Sequence, residues 1–241
     1  MAELGGRARF RIENYGDSEL AKRYGVSRYP AIFVDDILVA TPYDFGFYGN
    51  DGKKLAGGRY APLKDAASHE RFRGDLRKMI DLILAGKKEQ ARAVASPAQT
   101  RDVASFPDVT ITDLDGKNLA RAELAGKVVV VEMWATWCPP CRKTLRELAE
   151  LRKRYGSRVA VVTLAIESDP KDVKRIADAV GGAAPLTWSM GTPELVRSFG
   201  DVSAVPTLLI FDGTGRTAGV LYGAPPTLHQ DLEAKLTALL P

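Results

Sequence analysis

Two cysteines are the residues of this chain best suited to chemistry. Cys138 and Cys141 are its only thiols, and Pro139 and Pro140 are the two residues between them. Because no third cysteine exists to pair with either thiol, the chain has no framework of structural disulfides. The two thiols therefore act together, either as a dithiol that closes to a disulfide or as two ligands of a metal ion.

The residues around the cysteines indicate how the thiols are presented. Four consecutive valines at 128–131 predict a strand buried on both faces, and leucines at helical spacing predict a helix after Cys141. Cys138 would then lie at the helix N-terminus, where free N–H groups and the helix dipole stabilise a thiolate. The two prolines lack an N–H and fix φ, so we expect a stiff loop that keeps Cys138 exposed and Cys141 shielded.

This placement predicts disulfide exchange in two steps. The Cys138 thiolate attacks a partner disulfide to form a mixed disulfide, and Cys141 then attacks Cys138 and releases the partner. Metal binding is the alternative. A zinc site normally has four ligands, whereas His69 and His229, the only histidines, lie in distant helical segments and are interpreted as surface residues. We therefore expect no metal site, and no cofactor other than the redox-active disulfide Cys138–Cys141.

The composition excludes several other classes of protein. The chain has 241 residues, of which 45% are hydrophobic and 27% charged, and its 34 basic and 30 acidic residues are interspersed. These values are typical of an ordinary globular protein, and no apolar run approaches the ~18 residues of a membrane span. The lysines and arginines are not gathered in one tract, so nucleic acid is not an expected partner.

The order of predicted elements indicates an α/β fold in two domains. We expect a first domain at residues 1–86, a linker at 87–104 where the chain turns polar and small, and a second domain at 105–241. In the second domain strands and helices alternate after a leading β-hairpin, whose turn is Asp115-Gly116.

The flanks of the cysteine pair carry a family resemblance. Residues 131–143 read Val-Glu-Met-Trp-Ala-Thr-Trp-Cys-Pro-Pro-Cys-Arg-Lys, and residues 204–207 read Ala-Val-Pro-Thr. From 106 to 240 the chain resembles the thioredoxin superfamily, most closely its TlpA/ResA-like thiol-disulfide oxidoreductases. The resemblance implies a thioredoxin-like fold, in which helices flank a central mixed sheet.

The same resemblance implies which residues bind the partner. Pro206 would be cis and face the cysteines, and the backbone of Val205 would pair with an extended segment of the substrate. Trp137 would form the rim of the substrate surface, beside Pro139 and Pro140.

A glutamate within the valine-rich strand is a further candidate. Glu132 lies six residues before Cys138, at a position where thioredoxins have a buried aspartate. We interpret it as a carboxyl with a raised pKa that accepts the proton of Cys141 during resolution. The alternative is a structural carboxylate paired with a lysine or arginine. ResA-like proteins also have a glutamate three residues after the second cysteine, and here that residue is Thr144.

The first domain resembles only the later part of the same fold. The order helix, glycine, X-Pro and strand around Val205-Pro206 also occurs around Tyr29-Pro30, which indicates a repeat. No strand with a CxxC motif precedes this copy, although in the family that strand is central, between the strands predicted here at 9–12 and 31–34. We therefore expect a partial thioredoxin-like domain, preceded in the natural protein by a signal or anchor, a strand and a helix.

The resemblance predicts a protein-disulfide reductase or thiol-disulfide oxidoreductase. Its partners would be proteins with a disulfide or dithiol, and an upstream thiol reductant would regenerate it. One alternative is a thiol peroxidase, although peroxiredoxins have Thr-x-x-Cys and residue 135 is Ala. Another is a copper-binding thiol chaperone, although related carriers have a longer cysteine spacing and a histidine ligand. TlpA-like proteins suggest the periplasm or another extracytoplasmic compartment; composition also fits the cytoplasm.

Overall fold

The chain divides into two units, Met1–Thr100 and Arg101–Pro241. The computed structural model describes residues 6–46, 48, 58–61, 65–95, 97, 102–181 and 186–240 of them. The elements of the N-terminal unit are α1 (Glu19–Arg23), β1 (Ile32–Val34), β2 (Ile37–Ala40), α2 (Ala66–Leu84) and α3 (Lys88–Val94). The C-terminal unit contains β3 (Ile111–Thr112), β4 (Asn118–Leu119), β5 (Val128–Trp134), α4 (Pro139–Tyr155), β6 (Val159–Ala165), α5 (Pro170–Gly181), β7 (Thr187–Met190), α6 (Pro193–Ser198), β8 (Thr207–Phe211), β9 (Thr217–Tyr222) and α7 (Leu228–Leu239).

The N-terminal unit has a small core between a two-stranded sheet and two helices. β1 and β2 pair antiparallel, and Ile37 and Val39 form a core with Met79 of α2 and Ala91 of α3. Ala91 lies in the stretch 87–104 that composition predicted as a linker, yet it is fully buried. The unit therefore extends beyond residue 86, because a small side chain lets α3 pack closely on this core.

The strand predicted at residues 9–12 is absent. These residues have no regular secondary structure, and Phe10 and Ile12 are 75% and 82% exposed. Alternation of side chains produces a strand only where another strand pairs with it, and among the described residues of this unit β1 and β2 are the only strands. The Tyr29-Pro30 bond is cis, like that of Val205-Pro206. The upstream strand and helix suggested by the resemblance stay a prediction.

The C-terminal unit has the mixed sheet that its sequence predicts. The strand order is β7–β6–β5–β8–β9, so β5 is central; it is parallel to β6 and antiparallel to β8. All seven residues of β5 are buried, as its run of valines indicates. α4 follows β5 directly, and α7 follows β9.

The two faces of the sheet are covered differently. On one face Val128 and Val130 of β5 share a core with Leu148 of α4 and Leu232 of α7. Elsewhere in the unit, three phenylalanines pack edge to face with ring centroids 5.2 to 6.3 Å apart; they are Phe106, Phe199 and Phe211. These packed layers hold both ends of β5 in place.

The leading hairpin is confirmed. β3 and β4 pair antiparallel, and the Asp113 carboxylate accepts hydrogen bonds from the N–H groups of Asp115 and Lys117 across the turn. The Ser189 hydroxyl of β7 donates to the Thr112 carbonyl at 2.6 Å, which ties the hairpin to the edge of the main sheet.

Candidate active site

The cysteine pair lies where the central strand passes into a helix. Cys138 is the N-cap of α4, and Pro139 is the first residue of the helix. The Cys141 N–H donates to the Cys138 sulfur at 3.2 Å, so an N–H group of the first turn is directed at this sulfur. This contact and the helix dipole favour negative charge on Cys138 rather than on Cys141.

The two cysteines form a disulfide, with their Cα atoms 5.4 Å apart. Cys138 is 4% exposed and Cys141 is 0% exposed. The expectation that Cys138 is exposed is therefore wrong for the disulfide form, because its sulfur turns inward to bond that of Cys141. Cys141 is shielded as expected, and Pro139 and Pro140 are exposed beside the pair.

Glu132 is a buried carboxyl in the middle of the sheet. Its side chain is 0% exposed, and neither carboxyl oxygen has a hydrogen-bond partner among the described residues. Burial raises the pKa of Glu132 well above its usual range, and the negative charge of Glu147 raises it further. No ion pair joins Glu132 to a lysine or arginine in the described part of the chain, so the structure does not support the alternative of a paired structural carboxylate.

The cis-proline loop lies at the same end of the sheet as the cysteines. The Val205-Pro206 bond is cis, as the resemblance implies. Thr207 pairs with Met133 across the antiparallel β5 and β8 strands, so the residues before β8 lie beside those that follow β5. The Pro206 carbonyl accepts from the Gly223 N–H, whereas the Val205 backbone makes no hydrogen bond with any described residue.

Trp137 is a large exposed side chain next to the disulfide, with 57% of its surface accessible. Its indole N–H donates to the carbonyl of Glu167, and the Thr136 N–H donates to the Ser168 hydroxyl oxygen at 3.0 Å. Glu167 adopts a φ of 45°, which is uncommon for a residue other than glycine. The loop after β6 therefore fixes the indole from the backbone side.

Sequence reasoning missed Glu167 and Ser168. The signal that could have found them is topological, because the C-terminal ends of neighbouring parallel strands meet at one edge of the sheet. β6 is the parallel neighbour of β5, so the residues that follow β6 lie beside those that follow β5. The position of the missing glutamate is also clear: Thr144 is buried, and its hydroxyl donates to the Pro140 carbonyl.

The described residues contain no cluster of three or more His, Cys, Asp or Glu side chains that could hold a metal ion. His69 is exposed on α2. His229 differs from the surface residue that was expected, because its ring nitrogen Nδ1 is buried.

Comparison with known proteins identifies relatives of the C-terminal unit. A family model described as Redoxin matches residues 102–236. The thiol-disulfide oxidoreductase ResA of Bacillus thuringiensis strain Al Hakam is 29% identical over 137 residues, which are 56% of this chain and 76% of ResA. The thioredoxin-like protein YneN of Bacillus subtilis strain 168 is 29% identical over 138 residues, which are 54% of this chain and 75% of YneN.

Solved structures include a similar fold. A thiol:disulfide interchange protein of the thioredoxin family from Chlorobium tepidum TLS aligns with a TM-score of 0.51 and 28% identity. The alignment covers 60% of this chain and 100% of that protein. The α/β fold of the C-terminal unit is therefore thioredoxin-like, as its motif predicts.

After reduction, a limiting amount of iodoacetamide is expected to modify Cys138 before Cys141. The N-cap position stabilises the Cys138 thiolate, and Cys141 is the more deeply buried of the two. Peptide mass mapping after a short reaction at neutral pH measures the ratio. Preferential modification of Cys141 would reverse the two roles.

Glu132 is expected to make the folded oxidised protein less stable as pH rises. An unfolded glutamate titrates near ~4.3, whereas burial raises the pKa of Glu132 in the folded state. Between these two pKa values the folded state binds more protons than the unfolded state, so the free energy of unfolding falls with rising pH. The stability gained by Glu132→Gln should therefore grow between about pH 5 and about pH 8.

Urea unfolding of the disulfide-bonded protein at several pH values measures this difference. Glu150→Gln is the control, because Glu150 is exposed on the same helix. A difference between Glu132→Gln and the wild type that stays constant with pH would show that the Glu132 carboxyl titrates normally.

Proposed function

Because this chain belongs to the Redoxin family and carries a dithiol pair, it is a thiol-disulfide oxidoreductase, and we propose that Cys138 is its nucleophile and Cys141 its resolving thiol. The observation that carries this proposal is the position of the disulfide at the start of α4. Cys138 caps the helix and accepts the Cys141 N–H, whereas Cys141 is fully buried. Its substrates are proteins with a disulfide or a dithiol.

Reduction of a partner proceeds in two steps. The Cys138 thiolate attacks one sulfur of the partner disulfide, and the other partner sulfur leaves as a thiolate that takes a proton from solvent. Cys141 then loses its proton and attacks the Cys138 sulfur. The Cys138–Cys141 disulfide forms as the mixed disulfide breaks, so two electrons pass to the partner. An upstream thiol reductant restores the dithiol by the reverse exchange, and this scheme requires no other cofactor.

Glu132 accepts the proton of Cys141 in the second step. A carboxylate with an ordinary pKa is a weak base for a thiol, which titrates near ~8.5. The burial that raises the pKa of Glu132 also brings it closer to that of the thiol, which favours proton transfer. Thr144 replaces the acid that ResA-like proteins have one turn into the helix, which leaves Glu132 as the candidate acid on the strand side of the pair.

The partner protein is held by an extended segment beside the cysteines. The Val205 backbone is free among the described residues and is next to cis Pro206, so it can form β-type hydrogen bonds with such a segment. The exposed Trp137 ring borders this surface on the side of the Glu167 loop. Pro139 and Pro140 border it on the side of the helix.

We further propose that the protein works in the periplasm or another extracytoplasmic compartment of the bacterial envelope. The two cysteines are the only ones in the chain, so no other thiol can form a wrong disulfide in an oxidising compartment. Among the described helices, none combines the length and the apolar character needed to cross a membrane.

Replacing Cys141 with serine is expected to trap the first intermediate. Cys141→Ser keeps the nucleophile but cannot resolve the mixed disulfide, so incubation with insulin should give a covalent adduct that dithiothreitol removes. Cys138→Ser should form no adduct, and both variants should lose catalytic insulin reduction. Intact mass measurement under acid quench detects the adduct.

Two outcomes would contradict the proposal. An adduct that forms with Cys138→Ser but not with Cys141→Ser would reverse the roles of the thiols. Tight binding of Cu(I) by both thiols, without catalytic reduction of insulin by the wild-type protein, would favour the copper chaperone instead.

Glu132→Gln is expected to slow resolution and to leave the first attack nearly unchanged. Glutamine has a similar size but cannot accept the Cys141 proton, and base catalysis of this kind contributes roughly a hundredfold or more. Rapid mixing with a disulfide-bonded peptide, acid quench and mass analysis separate the two steps, because only the attack depends on peptide concentration. Wild-type rates of both steps between about pH 6 and about pH 9 would show that the carboxyl has no role in the exchange.

A further inference from the structure

A buried proton acceptor needs a route to solvent. In the function proposed above, on which this inference rests, Glu132 takes a proton from Cys141 and must lose it before the next turnover. Its side chain is 0% exposed, and its two oxygens have no partner among the described residues. Direct exchange of its proton with bulk water is therefore blocked, and neighbouring titratable groups must carry it.

The register of the sheet shows which elements cover Glu132. Residues directly opposite each other on neighbouring strands share a face, and Leu208 of β8 is opposite Glu132. Leu208 belongs to the core formed with α4 and α7, so Glu132 faces these two helices. Its other register partner, Thr163 of β6, carries no charge. Any charged neighbour must therefore come from α4 or α7.

Glu147 is the carboxyl that α4 supplies. It precedes the fully buried Leu148, and its own side chain is 24% exposed, so it lies at the margin of this core. After burial, its negative charge is the second cause that raises the pKa of Glu132. Lys143, one turn earlier, has its ammonium nitrogen 3.8 Å from a Glu147 oxygen and is itself 81% exposed.

His229 connects Glu147 with the surface. From the first turn of α7, its Nδ1 lies 3.7 Å from a Glu147 oxygen, and its Nε2 lies 3.6 Å from a Glu233 oxygen. Nδ1 is buried and has no hydrogen-bond partner among the described residues, although the side chain as a whole is 39% exposed. Both distances exceed a hydrogen bond by about 0.5 Å, so a small rotation of either side chain closes the contact. Glu233 is in turn paired with Arg154.

We propose that Glu147 and His229 form the outer part of a proton path that connects Glu132 with solvent. Protonated Glu132 gives its proton to the Glu147 carboxylate, and Glu147 gives a proton to Nδ1 of the neutral imidazole. The resulting imidazolium releases the Nε2 proton to water beside Glu233. Each group returns to its starting charge, and the reverse sequence protonates Cys141 when the disulfide is reduced.

The competing explanation is an ordinary surface network of charged side chains. Lys143, Glu147, His229, Glu233 and Arg154 form a chain of contacts, and exposed pairs of this kind contribute little to stability. A surface network predicts no influence on the thiols. A proton path predicts that changes at Glu147 and His229 alter the resolution step and act only through Glu132.

The test measures resolution of the Cys138 mixed disulfide in the full chain, by rapid mixing and acid quench, as a function of pH. Glu147→Gln removes a negative charge that raises the pKa of Glu132, so the midpoint of the pH profile should move to lower pH. It also interrupts the path, so the limiting rate should fall roughly tenfold. Glu150→Gln is the matched control on the same helix, because its exposed carboxylate pairs only with Lys153 among the described residues.

His229→Ala should also lower the limiting rate roughly tenfold, and added imidazole should restore it, because a free base can then take the proton from Glu147. Neither substitution should have a further effect in the Glu132→Gln background. Circular dichroism and the rate of the first attack check that the variants are folded.

The outcomes separate the inference from the function on which it rests. If Glu132→Gln itself resolves at the wild-type rate, the proposed role of Glu132 fails. If Glu132→Gln slows resolution but Glu147→Gln and His229→Ala behave like Glu150→Gln, the role of Glu132 stands and the path through Glu147 and His229 is overturned. A rate loss in His229→Ala that imidazole does not restore also contradicts the path.

Discussion

The burial of one carboxyl in the central strand is the constraint on which the site depends. A side chain that ionises readily in water is enclosed by β6, β8, α4 and α7, and within the described residues no cation compensates it. Such an arrangement is tolerable only while Glu132 is neutral, because an isolated buried charge is strongly unfavourable. The surrounding valines and leucines therefore both stabilise the sheet and set the chemistry of its acid. The same packing that makes β5 rigid makes Glu132 a stronger base than an exposed glutamate.

Disulfide exchange also requires several groups to meet at one edge of the sheet, and the topology achieves this. β5 and β6 are parallel, so the cysteine turn and the Glu167 loop follow neighbouring strand ends, whereas antiparallel β8 brings the cis-proline loop to the same edge from the other direction. The sulfur, the indole and the unpaired Val205 backbone thus have their positions fixed by strands rather than by loops alone. This arrangement supports exchange with a partner segment without a large movement of the backbone.

The sequence was sufficient where local patterns decide the structure. A run of valines, a CxxC turn and a helix with leucines at regular spacing predict β5, the cysteine pair and α4, and Asp115-Gly116 predicts the hairpin. Cis Pro206 followed from the family motif, since an X-Pro bond alone favours trans. Prediction failed where distant parts of the chain decide. Residues 9–12 alternate but have no described strand beside them, and the Cys138 sulfur is turned inward by its bond to Cys141. His229 looks like a surface histidine until α4 places Glu147 against its ring.

The tryptophans give the molecule a spectroscopic property that its fold does not require. All three lie in the C-terminal unit: Trp137 next to the disulfide, Trp134 at the end of β5, and Trp188 in edge-to-face contact with Trp134 at 5.8 Å between ring centroids. Disulfides quench the excited state of nearby indoles, so the emission of this protein reports the redox state of one cysteine pair. The N-terminal unit, which has tyrosines and phenylalanines but no tryptophan, is silent in that signal. Titration against a redox buffer can therefore be followed without any label.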